Sequence, residues 1–83
     1  MANQYREKLQ LWVRETLGDL GGEGNINQIA KHIWEKHEND LRQGGDVFYS
    51  WQYDMRWAAQ QLRSKGFLGL RTEGSKSIWT LKK

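Results

Sequence analysis

Three stretches of the chain place apolar residues at the three- and four-residue spacing of a helix. The first extends from Asn3 to Leu17 or Leu20, and glycines at 18, 21 and 22 end it because glycine accepts the left-handed conformation of a C-terminal cap. The positions that line one face of this helix are Tyr5, Leu9, Trp12, Val13, Thr16, Leu17 and Leu20. The pattern predicts an amphipathic helix that packs this face on a core.

The second helix is predicted to begin after Asn25, which stands three residues before Gln28 at the spacing of a capping box. An apolar stripe follows, made of Ile26, Ile29, Ala30, Ile33 and Trp34. We expect this helix to end near Asp40 to Leu41. Residues 42–49, which include two adjacent glycines, are predicted to form a loop.

The third helix is predicted to begin around Ser50, a favourable N-cap, and to end at Lys65 before Gly66. At about 100° per residue, four positions fall in a narrow sector that should face the core. They are Trp51, Met55, Ala58 and Leu62. The far side collects Tyr53, Arg56, Gln60, Arg63 and Ser64, with Trp57 at its edge.

After Gly66 the apolar period changes to two, which predicts short strands at residues 67–71 and 77–81 joined by a turn at 72–76. An isolated hairpin is marginally stable in water, so this one should pack on the helices. The residues available for that packing are Leu68, Leu70, Ile78 or Trp79. A very short strand near Gly24 and Asn25 could also pair with the hairpin.

The predicted fold is α+β, with three helices followed by a C-terminal two-stranded β-hairpin. This order is that of a winged helix-turn-helix domain, in which the hairpin is the wing and the third helix lies in the DNA major groove. With 83 residues, 1–83 should form a single domain.

Charge is divided unevenly along the chain. Residues 1–49 carry six Lys and Arg against eight Asp and Glu, whereas residues 50–83 carry seven against two. A basic half on a small domain is consistent with a polyanionic partner, and equally with a merely soluble surface.

The remaining composition bears on class and location. The hydrophobic fraction of 37% with five tryptophans favours a folded chain over a disordered one. The apolar runs are far shorter than the roughly 20 residues that span a bilayer, and the start has no signal-peptide pattern. The absence of cysteine excludes disulfides and cysteine-ligated zinc. We expect a cytoplasmic protein without membrane contact.

Three segments carry a family resemblance: LGGEGNINQIAKHIW at 20–34, WQYDMRWAAQQLRSKGFL at 51–68 and SIWTL at 77–81. Together they resemble the N-terminal winged-helix domain of Mrr-type modification-dependent restriction endonucleases, and similar stand-alone winged helices of bacteria and phages. The resemblance covers about Leu17 to Leu81 and implies a DNA-recognition module usually joined to a nuclease domain. Two features depart from it: these 83 residues contain no nuclease domain, and the 42–49 connection is long for a helix-turn-helix.

Catalysis and metal binding have little support. The Mrr-type nucleases use a Glu-x-Lys element, and no such triplet occurs in this chain. His32 and His37 are five residues apart, about 140° around a helix, whereas a shared metal favours a spacing of four. We expect both to be surface histidines, and we predict no enzymatic activity, metal or cofactor.

The far side of the third helix is the strongest candidate for function. Arginine can grip guanine O6 and N7 through two hydrogen bonds, and glutamine can do the same to adenine, so Arg56 and Gln60 are candidate base-reading residues. The predicted DNA-binding residues are Ser50, Gln52, Tyr53, Arg56, Gln60, Arg63, Lys65, Arg71 and Lys76. The predicted partner is duplex DNA, with a fused or associated protein also possible, and the oligomeric state is open.

The rival hypothesis is a winged helix that binds other proteins, since this fold mediates both kinds of contact. Tyr53 and Trp57 would then anchor a partner. A continuous positive face formed by Arg56, Arg63, Arg71 and Lys76 would favour DNA. An exposed apolar patch around Trp57 would favour protein.

Overall fold

A computed structural model describes residues 2–45 and 47–82. The elements follow in the order α1 (Ala2–Asp19), β1 (Glu23–Asn25), α2 (Ile26–Gln43), α3 (Val47–Ser64), β2 (Leu68–Glu73) and β3 (Lys76–Leu81). Within these described residues the protein is α+β, with three helices and one antiparallel sheet. Helices α1 and α2 both pack on α3, and the sheet is in contact with all three helices.

The predicted two-stranded hairpin is present as β2 and β3, but the sheet of the described residues has three strands rather than two. The strand order is β1-β3-β2, which places the closing strand β3 in the centre. The very short strand anticipated near Gly24 is β1, which pairs Glu23 with Thr80 and Gly24 with Trp79. A side chain at position 24 would bring Cβ within 2.9 Å of Leu20 Cδ1, so glycine permits the close approach of this strand to the end of α1.

The turn of the hairpin is shorter than predicted. Strand β2 continues through Glu73 and β3 begins at Lys76, which leaves Gly74 and Ser75 as a two-residue turn. Gly74 has φ of 63°, and two-residue hairpin turns need a positive φ at the first central residue. The strands therefore pair closer to the turn than predicted because Gly74 accepts the positive φ that a two-residue turn requires.

Helix α3 begins at Val47 rather than at Ser50, and α2 continues to Gln43. The predicted 42–49 loop is thus reduced to Gly44, Gly45 and Asp46, the last of which lies outside the described residues. The cause is tertiary: Phe48 packs on Trp34 of α2, with ring centroids 5.9 Å apart.

The helical phases predicted from the sequence are confirmed. All four predicted core residues of α3 are buried, and Leu68 and Trp79 bring the hairpin onto the helices. Leu41 and Ala59 are buried as well, although neither was predicted. Helix α2 departs from helical geometry at His37, where φ is −125°.

Candidate nucleic-acid interface

One side of α3 is exposed along its whole length, and we call it the α3 face. It consists of Tyr49, Gln52, Tyr53, Arg56, Gln60 and Arg63, all exposed. These positions fall within a sector of about 100° around the helix axis. The buried residues Trp51, Met55, Ala58 and Leu62 lie on the opposite side and so fix the α3 face toward solvent.

An open cavity with a volume of about 460 Å³ lies between α3, the first turn of α2 and the hairpin. We call it the wing groove. Its polar lining includes Asn27, Arg56, Gln60, Lys76 and Ser77, and its apolar lining includes Leu70 and Trp79. Three of the predicted DNA-binding residues, Arg56, Gln60 and Lys76, are therefore brought together although 20 positions separate the first from the last in the sequence.

The α2 side of the wing groove is fixed by the predicted capping box, which the structure confirms. Asn25 Oδ1 accepts a hydrogen bond from the Gln28 amide, and Gln28 Oε1 accepts one from the Asn25 amide, both at 2.9 Å. Asn25 also pairs with Ile78 across β1 and β3. The start of α2 is thereby tied to the central strand, which holds the exposed Asn27 at the rim of the groove.

The hairpin side carries Lys76 next to the turn. Leu70 pairs with the buried Trp79, and this pair holds the hairpin against the helices. Lys76 is exposed and lies opposite Glu73 in the strand register. The Glu73 carboxylate is instead in contact with Arg71, so the Lys76 ammonium remains free to contact a ligand.

Arg71, a predicted DNA-binding residue, is engaged by two carboxylates. Its Nη1 and Nη2 donate to the two Glu23 carboxylate oxygens at 3.2 and 2.9 Å, and Nη2 also contacts Glu73. The hydrogen bond to Glu23, and then that to Glu73, raises the pKa of Arg71, while the pKa of Glu23 is lowered by the same contact. With two carboxylates around it, Arg71 links β2 to β1 across β3 instead of presenting a free charge to phosphate.

Two other predicted DNA-binding residues, Ser50 and Lys65, do not line the wing groove. Ser50 is inside α3 rather than at its N-cap, and its hydroxyl donates to Asp54 at 3.1 Å. Lys65 follows the end of α3 and donates to Gln10 Oε1 of α1 at 3.0 Å, outside the wing groove. Neither side chain is part of the surface that unites Arg56, Gln60 and Lys76.

Asp54 is also the partner of the partly buried Tyr5 phenol. The Tyr5 hydroxyl donates to Asp54 Oδ2 at 2.9 Å and joins α1 to α3. Burial, then this hydrogen bond and the nearby carboxylate charge, raises the pKa of Tyr5 well above its ordinary value. The one acidic residue of α3 is thus engaged toward α1, away from the α3 face.

The free positive charges of the candidate interface are Arg56, Arg63 and Lys76. None of them forms an ion pair with a residue that the structure describes. Of the four side chains expected to form a continuous positive face, Arg71 is paired and the other three are unpaired.

Trp57 is half-buried, with the Arg6 guanidinium 4.6 Å from its ring centroid, so it does not centre an exposed apolar patch. The most exposed aromatic rings among the described residues are instead Tyr49 and Tyr53, at 86% and 78%. Sequence analysis missed Tyr49 because it fell in the predicted loop. No local signal placed it in the helix, because Ser50 is a favourable N-cap and suggested a later start.

The histidines are in contact with α1. His37 was expected at the surface, but its ring stacks on Trp12 at 4.0 Å and its Nε2 lies 3.5 Å from a Glu15 carboxylate oxygen without hydrogen-bond geometry. His32 lies 3.0 Å from Asp19, which also accepts from Lys36. The described residues contain no group of three or more side chains suited to hold a metal ion.

Within residues 2–45 and 47–82, no helix combines the length and apolar character that crossing a membrane requires. Comparison with known proteins gave no match to a family model, a curated protein or a solved structure.

Proposed function

We propose that this chain is a non-enzymatic module that binds duplex DNA. The observation that carries the proposal is the meeting of Arg56, Gln60 and Lys76 in the wing groove. An α-helix of about 10–12 Å diameter fits the major groove, which is about 12 Å wide. With α3 in that groove, Arg56 and Gln60 contact base edges and Lys76 contacts a phosphate.

The same proposal assigns the finer fold. Helices α2 and α3 form the helix-turn-helix, β2 and β3 form the wing, and β1 adds a strand at its base. Such a module acts in the cytoplasm as a regulator or as the recognition domain of a larger protein, in keeping with the resemblance to Mrr-type recognition domains.

The proposal is tested by fluorescence anisotropy with several duplexes at two or more salt concentrations. Wild-type binding is expected with a dissociation constant on the order of 10⁻⁴ to 10⁻⁶ M at physiological salt. Arg56→Ala should flatten any sequence preference, because a bidentate guanine contact discriminates by about 1–3 kcal/mol. Lys76→Ala should weaken all duplexes alike and reduce the salt slope by about one unit.

The matched control is Lys36→Ala, which also removes one positive charge. Lys36 is already paired with Asp19 of α1 at 3.0 Å, so its loss should leave DNA affinity nearly unchanged. If Arg56→Ala and Lys76→Ala both remain folded and bind as wild type does, the proposed interface is wrong. A protein-binding winged helix would then be the better interpretation, with Tyr49 and Tyr53 as its exposed aromatic residues.

A further inference from the structure

Two aromatic rings project from the first turns of α3 beside the proposed base-reading residues. Tyr49 and Tyr53 are 86% and 78% exposed, and they are one helical turn apart on the α3 face. Phe48 meets Tyr49 edge to face at 5.3 Å, which supports the Tyr49 ring from one side. The two rings, which we call the tyrosine pair, are therefore both open to solvent, and Tyr49 is in contact with Phe48.

The spacing of the pair suits a flat aromatic ligand. Residues four apart on a helix differ by about 6 Å along its axis, at 1.5 Å per residue. A nucleobase between two rings needs about 3.4 Å on each face, so a small opening of the two side chains admits one base. Stacking on aromatic side chains is a common mode of single-strand recognition because every base has a π-face.

The surroundings of the pair favour a nucleic acid over an apolar protein segment. Gln52 and Arg56 flank the rings, and Arg63 continues the same face with a second free positive charge. Arg56 is seven residues beyond Tyr49, about 10 Å along the axis, which corresponds to about three base steps. A strand that passes Arg56 therefore comes within reach of the tyrosines.

We infer that Tyr49 and Tyr53 stack on an unpaired nucleobase, so that the preferred ligand is duplex DNA with a single-stranded extension next to the paired part. Bases inside a duplex already have both faces covered by their neighbours and cannot enter the pair. This inference rests on the proposed function, since Arg56 and Gln60 hold the paired part.

The test compares a blunt duplex with the same duplex carrying a three-nucleotide extension that contains 2-aminopurine, whose fluorescence falls when it stacks. Wild type should prefer the extended DNA by roughly tenfold and quench the probe, as expected for one well-stacked base. The double variant Tyr49→Ala, Tyr53→Ala should lose the quenching and should bind the blunt and the extended DNA with equal affinity.

Two further double variants separate stacking from general apolar contact. Tyr→Phe at both positions keeps the rings and should keep the preference, whereas Tyr→Leu keeps apolar bulk without a π-face and should lose it. A preference that survives Tyr→Leu would overturn the inference. Equal wild-type affinity for the two DNAs, without quenching, would also overturn it and would leave the rings to a protein partner. Arg56-dependent binding of the blunt duplex would in that case still support the proposed function.

Discussion

Replacement of Leu62 by alanine tests whether α3 is phased correctly, on which the whole α3 face depends. Leu62 is only 2% exposed and lies in the core cluster with Met55 and Leu68. The substitution removes three buried carbons, which at about 0.8 kcal/mol each corresponds to about 2.4 kcal/mol of lost transfer free energy. The cavity left behind adds to this, and measured Leu→Ala costs in cores range over about 2–5 kcal/mol.

A loss of that size is a large share of the total for this chain. Domains are stable by about 0.05–0.15 kcal/mol per residue, so 83 residues correspond to about 4–12 kcal/mol. For a domain of this size, 1 kcal/mol shifts the melting temperature by about 4–8 °C. Thermal and urea unfolding followed by circular dichroism should therefore show Leu62→Ala melting at least about 8 °C below wild type.

Gln60→Ala is the matched control, because Gln60 is two residues away on the same helix but exposed. Its unfolding free energy should lie within about 0.5 kcal/mol of wild type. A Leu62→Ala melting temperature within one or two degrees of wild type would refute the phase of α3. An equally large loss in Gln60→Ala would refute it too, because both results would place the wrong side of α3 toward solvent.

Two further predictions concern contacts between distant elements. The raised pKa of Tyr5 means that the folded state favours the protonated phenol, so this stabilisation is present below pH 10 and declines as the pH rises above it. Between pH 8 and 11 the melting temperature should therefore fall more steeply for wild type than for Tyr5→Phe. Parallel curves would contradict the role of the Asp54 contact. Arg71→Gln should lower DNA affinity because it frees Glu73 opposite Lys76, and the added change Glu73→Gln should restore affinity in the anisotropy assay. No recovery in the double variant would indicate that Arg71 contacts phosphate directly.

The phases of the helices were predictable because they depend on local periodicity. Trp51 and Leu62 are eleven residues apart, which is about three helical turns, so the helical period alone places both side chains on the same side of the helix. The capping box at Asn25 was predictable for the same reason, since its two hydrogen bonds span three residues.

The beginning of α3 was not predictable from local signals. Ser50 is a favourable N-cap residue, and that preference is worth about 1 kcal/mol. Contact between Phe48 and Trp34 favours the longer helix, but it joins residues that are 14 positions apart on two elements. Tyr49 therefore appeared on the α3 face only once the packing of α2 was known.

Arg71 shows that the pairing of charges is equally hard to predict from local sequence. Its position in a basic half suggested a phosphate contact, yet Glu23, 48 residues earlier, is its partner across the sheet. Net charge along a sequence does not reveal which charges are already paired. That requires the strand order, which places β1 and β2 on opposite sides of β3.

The wing groove owes its shape to the strand that is hardest to recognise. Strand β1 has three residues, and Gly24 lacks a side chain that could signal its burial. Its pairing with β3 nevertheless brings the start of α2 to Ile78 and Trp79, so that Asn27, Arg56 and Lys76 line one concavity. A hairpin attached to the helices only through Leu68 and Trp79 would have no such connection to α2. The three-stranded sheet therefore sets the distance between the proposed base-reading helix and the lysine on the hairpin, and with it the width of ligand that the groove can accept.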